Sequence, residues 1–310
     1  MKVIVVGLGI QGAKRRAVAG RDVVATVDPV ATAEATYRRL EDVPLADYDA
    51  ALVCTPDAPK IALLTYLIER GKHVLVEKPL LAANDSALGK LEQLVRASGV
   101  VCYTAYNHRF EPHLVSLKRL LDGGSLGRIY QVSMFYGNGT ARDVRNSPWR
   151  DQGLGVIPDL ASHMLDLGLF YFGRPEGSAQ VWNCARFENQ AFDYFSMGFP
   201  DASPRLMLEG TLLSWRNTFS LDVLAEKGSA HVFGLCKWGP SSFVVRRRVL
   251  PSGKPPEEVH TIEQSDPTWA IEYDHFKALC ATGGTNIEND IWINGVLNSV
   301  SRSLAVEWDA

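Results

Sequence analysis

Val3-Ile4-Val5-Val6-Gly7-Leu8-Gly9-Ile10-Gln11-Gly12 is the stretch that decides the fold of this chain. Four apolar residues read as a buried strand, and the glycines after them open a helical stretch. G-x-G-x-x-G alone is common in turns; between a strand and a helix it acquires a mechanical meaning. Gly7 permits a tight turn, Gly9 lets the backbone approach a pyrophosphate, and Gly12 lets helix and strand pack closely. The helix head at Ile10, Gln11 and Gly12 then offers free N–H groups and partial positive charge to phosphates.

Working outward, strands and helices alternate. Residues 23–27 form a second apolar run ending in Asp28, residues 31–40 read as a helix, and residues 50–54 as a third strand. Asp57 is placed to cap a long amphipathic helix over residues 58–70, which Gly71 ends. Residues 73–76 are a fourth strand leading into Glu77-Lys78-Pro79, followed by a helix at 84–98, a strand at 100–104 and a helix at 112–121. Helical crossovers of this length imply parallel strands in a doubly wound sheet. Asp28, at the end of the second strand, can accept hydrogen bonds from both ribose hydroxyls and would repel a 2′-phosphate. NAD is therefore favoured over NADP; Lys14, Arg15 and Arg16 keep NADP possible, because a basic side chain could swing toward a phosphate.

After Gly127 the helical period largely stops. Residues 128–136, 180–187, 193–199, 206–213, 219–224, 229–235 and 243–250 read as strands joined by turn residues. Short connections of this kind indicate a large, mostly antiparallel sheet. One helix interrupts them, started by Pro158-Asp159-Leu160 and ended by Gly173; helices at 269–280 and 292–306 are expected to pack on that sheet. The expectation is a Rossmann domain over residues 1–123 and an α+β substrate-binding and oligomerisation domain over residues 124–310, its open sheet face covered in a homodimer or homotetramer.

Composition excludes several classes. With 310 residues, 22% of them charged, and a net charge of −3, nothing suggests a nucleic-acid surface. No apolar stretch approaches the roughly 20 residues that span a bilayer. The strand at Val3 leaves no room for a signal peptide. Five scattered cysteines without a C-x-x-C pattern fit reduced thiols in a cytoplasmic protein. Asp159, His163 and Asp166 share roughly one helical face. Two metal ligands is one reading of that spacing, but no third ligand follows at a recognisable distance, so no metal is expected.

Gly7-x-Gly9-x-x-Gly12, Cys54-Thr55-Pro56, Glu77-Lys78-Pro79-Leu80, Tyr106-Asn107-His108-Arg109-Phe110, Gly124-x-x-Gly127 and Asp159-x-x-x-His163-x-x-Asp166 occur in one order. In that order they resemble the glucose–fructose oxidoreductase, inositol dehydrogenase and MocA family, densely up to about residue 173 and in pattern only beyond it. The resemblance implies NAD(P)-dependent oxidation or reduction of a hydroxyl-bearing carbon on a sugar, cyclitol or sugar derivative. It implies Lys78, Asp159 and His163 as the catalytic group, cofactor contacts along Gly7, Gly9, Ile10, Gln11, Gly12, Asp28, Thr55, Pro56, Glu77 and Lys78, and a cis peptide before Pro79. Three departures stand out: a short interval from Gly12 to Asp28, Lys60 in place of a frequent histidine, and Ala161 in place of glycine.

The chemistry suits these side chains. A histidine near its ordinary pKa of about 6.5 can give or take the hydroxyl proton near neutrality. Asp159 can hold that imidazole or a substrate hydroxyl. Lys78 can stabilise a developing oxyanion, or carry the proton itself; the sequence leaves the choice between Lys78 and His163 open. Asn107, Arg109, Trp149 and Arg150 are candidates to select a polyhydroxylated substrate, together with Lys78, Asp159 and His163. Competing readings are an NAD-dependent hydrolase of glycosides with no net redox change, and a non-catalytic sensor of NAD or a metabolite.

Overall fold

The computed structural model describes residues 1–30, 34–82, 85–148 and 150–306. Its contacts divide the chain into two compact units. One comprises Met1–Asn107 with Thr268–Gly295; the other comprises His108–Pro267 with residues 296–306.

The first unit is built on five parallel strands: β1 (Val3–Val6), β2 (Val23–Val27), β3 (Ala50–Val53), β4 (His73–Glu77) and β5 (Cys102–Ala105), in the order β2-β1-β3-β4-β5. Both faces are covered, which is why the strands are unbroken apolar runs. Alternate side chains serve opposite cores. Ile4, Val6, Ala51, Val53, Val74 and Val76 meet Leu64, Leu67 and Ile68 of α2 (Lys60–Glu69) and Leu88, Leu91 and Val95 of α3 (Asp85–Ser98). Val3, Val5, Ala50, Leu52, Leu75 and Tyr103 meet Ala19 of α1 (Ile10–Ala19) and Tyr273 and Phe276 of a helix from much later in the chain, at Thr268–Thr282. Each fully buried Val or Leu contributes about 1.5–3 kcal/mol, so together these two layers dominate the stability of the unit.

Three expectations are corrected here. No helix forms over the described part of residues 31–40 (31–33 lie outside the described residues); short 3-10 turns follow at Leu40–Asp42 and Leu45–Asp47. The reason is hydrogen bonding to the free side of β2: Tyr37 N donates to Thr26 O (3.0 Å), Asp28 N to Tyr37 O (3.1 Å) and Thr36 N to Thr26 Oγ1 (3.0 Å). Asp57 does not cap α2, whose N-cap is Pro59 without a side-chain bond; its carboxylate takes the Lys60 ammonium instead. The helix at Thr268–Thr282 packs on the parallel sheet rather than on the antiparallel one, because Tyr273 and Phe276 are apolar on the side that meets β1 and β3.

The start of the last helix, Ile287–Leu304, and the residue before it also belong to the first unit as far as Gly295. Asn286 acts as a substitute strand at the β5 edge: its Oδ1 accepts Thr104 N and its Nδ2 donates to Thr104 O, each at 2.8 Å. Asp290 accepts Thr104 Oγ1 (2.7 Å) and Tyr106 OH (3.1 Å), and Asn294 accepts Ala82 N (3.0 Å). These side chains satisfy an edge that would otherwise template foreign pairing.

The second unit carries eight further strands: β6 (Ile129–Gly137), β7 (Gln180–Ala185), β8 (Tyr194–Phe199), β9 (Arg205–Thr211), β10 (Thr218–Ala225), β11 (Gly228–Phe233), β12 (Ser241–Arg247) and β13 (Glu257–Ile262). Their order is β13-β12-β11-β10-β6-β9-β8-β7, antiparallel throughout except for the parallel β6–β9 pair. One face is buried, by Val132, Met134, Tyr136, Phe219, Leu221, Val223, Ala230 and Val232 among others. The alternating residues on the other face are mostly half-buried or exposed. The edge strand β13 is absent from the sequence reading, since its residues are exposed and no buried alternation marks it. The units part between Asn107 and His108, whereas the sequence reading places a boundary after residue 123. Helix α4 (Pro112–Asp122) explains the difference, since it binds the second unit: Tyr171 OH donates to Leu114 O at 3.1 Å, and His113 Nε2 lies 3.2 Å from Ser241 O.

Candidate functional site

In the first unit the glycine turn is gripped by its neighbours. Gly7 N donates to Val27 O at 2.8 Å and Leu8 N to Asp28 Oδ2 at 2.7 Å. A Cβ on Gly7 (φ +90°) would come within 2.8 Å of Cys54 O, and one on Gly12 within 1.9 Å of Gly7 O. Packing alone therefore dictates those two glycines. Gly9 is different: a Cβ there would meet nothing within 4 Å. That space lies at the head of α1, which no side chain caps and whose first turn has no acidic residue; the Ile10 side chain stands 79% exposed beside it. At the end of β3, next to the turn, the buried Thr55 Oγ1 has no hydrogen-bond partner among the described residues, and Pro56 is exposed. Open space over a glycine, uncapped helical N–H groups and an orphaned hydroxyl fit a phosphate-bearing dinucleotide.

Asp28 is only 8% exposed, and its carboxylate is fixed by two main-chain donors, Leu8 N on Oδ2 and Val30 N (2.8 Å) on Oδ1. Each oxygen keeps acceptor capacity for a ribose hydroxyl. Of the three basic residues on α1, Arg15 is committed elsewhere. Buried to 1% exposure, it donates Nε to Glu77 Oε1 and Nη2 to Glu272 Oε2, both at 2.6 Å, beneath the Trp269 ring. Burial would lower its pKa, but the Glu272 and Glu77 charges outweigh it and raise the value. Glu77 is thereby the anchor of Arg15. Lys14 reaches over Trp269, and Arg16 lines an open cleft of about 780 Å³ with Leu8, Thr26, Glu34 and Thr36.

Lys78 follows the last residue of β4, at the carboxyl edge of the parallel sheet, and its peptide to Pro79 is cis. The main chain on both sides of it is bound by Lys60, whose Nζ donates to Glu77 O (2.8 Å) and Pro79 O (2.7 Å). Asn107, a candidate substrate contact, is buried and donates its amide to Thr268 Oγ1 at 2.8 Å.

In the second unit Asp159 sits on a single π turn (Ile157–Ala161) that runs into α5 (Ser162–Phe172), where sequence spacing implies an ordinary helix. Such turns recur at functional sites because they re-aim side chains. His163 is 7% exposed and stacks on His108, with centroids 4.0 Å apart and planes 16° from parallel. Tyr136 of β6 tilts toward both imidazoles, and is packed in turn by Phe219 and Trp238. Burial, with the nearby Asp159 charge, raises the Tyr136 pKa. Lys237 Nζ lies 3.4 Å from His108 Nε2. Asp166 pairs with Arg109, which binds it through Nε–Oδ2 (2.7 Å) and Nη2–Oδ1 (2.6 Å). Burial raises the Asp166 pKa and Arg109 pulls it back, leaving it above the ordinary value. Arg109 thus faces Asp166 in a bidentate pair, the geometry that suits guanidinium and carboxylate. Arg150 lies in the turn before the π segment, half-buried; Trp149 lies outside the described residues.

Residues 1–106 match the sequence model of an oxidoreductase family's NAD-binding Rossmann fold, and residues 114–231 match the GFO/IDH/MocA C-terminal domain. The chain belongs to the GFO/IDH/MocA oxidoreductase family. Among curated relatives of this GFO/IDH/MocA protein, the uncharacterized oxidoreductase YdgJ of Escherichia coli is 30% identical over 190 residues, covering 60% of this chain and 54% of YdgJ. The scyllo-inositol 2-dehydrogenase (NADP(+)) IolW of Bacillus subtilis is 30% identical over 157 residues, 48% of this chain and 42% of IolW. The matched stretches thus span about half or less of those relatives. Solved structures share the whole fold. An Agrobacterium radiobacter oxidoreductase in complex with NAD+, L-tartaric acid and magnesium superposes with a TM-score of 0.81 at 14% identity, over 98% of this chain and 96% of that one. UDP-N-acetylglucosamine 3-dehydrogenase GnnA of Acidithiobacillus ferrooxidans gives 0.77 at 16% identity, over 98% and 96%. No helix among the described residues is long and apolar enough to cross a membrane.

Four residues around His163 are absent from the sequence reading of the site: His108, Tyr136, Lys237 and Trp238. His108 had a signal, since it lies inside the quoted Tyr106–Phe110 motif. The others come from β6 and from the 3-10 turn Cys236–Trp238, and only the fold brings Tyr136 to both imidazoles, Lys237 to His108 and Trp238 to Tyr136.

Proposed function

We propose that this protein is an NAD(P)-dependent oxidoreductase that moves a hydride between nicotinamide and a hydroxyl-bearing carbon of a sugar, cyclitol or sugar derivative. The observation that carries the reading is the glycine cradle beside an orphaned Thr55 hydroxyl, in the same unit as a lysine at the strand's carboxyl edge. Gly7, Gly9, Ile10, Gln11 and Gly12 receive the pyrophosphate; Asp28 receives the adenosine ribose, which favours NAD. Thr55, Pro56 and Lys78 serve the nicotinamide side, and Glu77 acts through Arg15. When bound, the nicotinamide supplies hydride exchange.

The chain's own residues supply the rest. His163 takes the hydroxyl proton in the oxidative direction and returns it in the reductive one, and Asp159 holds the imidazole or a neighbouring substrate hydroxyl. Lys78 stabilises the oxygen as negative charge develops on it. Arg109 acts by holding Asp166 and the helix that carries His163. Trp149 and Arg150 are assigned to substrate selection. The open face of the eight-stranded sheet, with Trp182, Leu224 and Phe233 exposed on it, is assigned to a homodimer or homotetramer; light scattering of the purified protein tests that part.

The test of activity is absorbance in the nicotinamide band with purified protein, NAD+ or NADP+, and a panel of inositols, aldoses and sugar nucleotides. Reduction of the cofactor with at least one polyol is the expected result. Release of an aglycone from glycosides without reduced cofactor accumulating would replace dehydrogenation by hydrolysis. Tight cofactor binding with no turnover on any substrate would replace it by sensing.

A further inference from the structure

Lys60 is among the largest side chains that are almost completely buried, at 2% exposure. A buried ammonium is costly unless it is paired and fully hydrogen-bonded. All three of its N–H donors have acceptors: Asp57 Oδ1 at 2.7 Å, Glu77 O at 2.8 Å and Pro79 O at 2.7 Å. Asp57 balances the charge. The other two acceptors are the carbonyls immediately before and after the Lys78–Pro79 peptide unit, so one ammonium ties down the main chain on both sides of Lys78. The Glu77 side chain is held independently by Arg15. Neither hold involves the Lys78 side chain.

We infer that Lys60 is a positioning residue for Lys78: its tripod of hydrogen bonds sets the direction in which Lys78 leaves the end of β4. Lys60 touches neither substrate nor cofactor in this role. This inference rests on the reading of Lys78 as the oxyanion-stabilising lysine. A neutral imidazole has one donor and could serve only one of the two carbonyls, so lysine in place of histidine here makes a more constrained strand end.

The test compares Lys60→Met, Lys60→Gln, Lys78→Ala and the Lys60→Met/Lys78→Ala double variant in the full chain. Readouts are hydrogen exchange of peptides spanning residues 74–82, NADH affinity by protein fluorescence, and turnover of the best polyol from the panel above. Lys60→Met is expected to speed exchange at residues 78–82 by about tenfold or more, with peptides from β1 and α3 unchanged. NADH affinity stays within about threefold, and kcat falls by about 30-fold with KM little changed. The double variant is no slower than Lys78→Ala alone, as expected of residues acting through one another. Lys60→Gln, which keeps amide donors, recovers part of both effects, and it carries the test if the methionine variant does not fold. Unchanged exchange together with turnover within about twofold of wild type overturns the inference, as do fully additive losses in the double variant. Wild-type turnover in Lys78→Ala would instead overturn the catalytic reading of Lys78. A slow Lys78→Ala beside a fast Lys60→Met overturns only the role of Lys60.

Discussion

The imidazoles of His108 and His163 lie face to face, 4.0 Å between centroids, with the Lys237 ammonium against the far nitrogen of His108. The stack sets one imidazole, itself within reach of a lysine, directly against the proposed proton carrier. Replacing His108 by leucine removes both the flat surface and the ring nitrogen that faces Lys237. Turnover at neutral pH should fall by about tenfold, short of the roughly 10²–10⁴ that outright loss of an acid–base group costs. The pH–rate profile should shift with it; an unmoved profile would show that His108 only fills space.

Lys78→Ala should reduce kcat by about 10²–10³, the scale of losing one oxyanion-stabilising group, while NADH affinity changes by less than about threefold. Steady-state kinetics and fluorescence titration check the two halves separately.

The glycines of the turn should separate folding from binding. Gly12→Ala drives a methyl into Gly7 O and should cost about 3 kcal/mol or more of stability, as overpacking against backbone does. Gly9→Ala points its methyl into open space and should change the urea midpoint little, yet weaken NADH binding by about tenfold, because the pyrophosphate loses its close approach.

Arg15 neutralises two buried carboxylates at once. Arg15→Met leaves Glu77 and Glu272 without their shared partner and should destabilise the protein by about 3–5 kcal/mol, measured by urea unfolding. Adding Glu272→Gln should restore part of that loss.

Acid should weaken the fold through two histidines. Burial lowers the pKa of His113, with the Ser241 carbonyl pulling it partly back, and burial likewise lowers that of His73, whose Nδ1 accepts Val101 N. Both folded-state values lie below the unfolded one. The stability they contribute is thus complete above the ordinary value of about 6.5 and is lost as pH falls through the depressed values. Urea midpoints should drop between about pH 7 and pH 5, and His113→Gln should flatten part of that slope.

The parallel sheet was legible because each strand is an apolar run between helices of fixed period, and the glycine turn because its spacing has one mechanical use. Residues 34–39 have helix-like composition, yet Thr36 and Tyr37 go to the free hydrogen-bonding groups of β2, a tertiary demand that local propensity does not register. The allegiance of Tyr273 and Phe276 to β1 and β3 was hidden for the same reason. At the site, Lys60 was visible as a departure from a pattern, but its role depends on two carbonyls that carry no side-chain signature. The pairing of Arg109 with Asp166 was hidden because the two lie 57 residues apart in the chain. The π turn under Asp159 leaves no trace in residue spacing.

The Asn286 amide that closes the β5 edge also imposes an order on synthesis. A ribosome releases the strands of the first unit long before it makes Asn286, Asp290 and Asn294. Until then the nascent sheet carries a raw edge at Thr104 and lacks the cover of Tyr273 and Phe276. A shortened chain ending near residue 107 or residue 123 would retain the glycine turn and still be an unfinished sheet, prone to pair with its own copies. The unit that opens with β1 is therefore completed only once residues 286–294 have been made, and late sequence acts as the seal on early sequence.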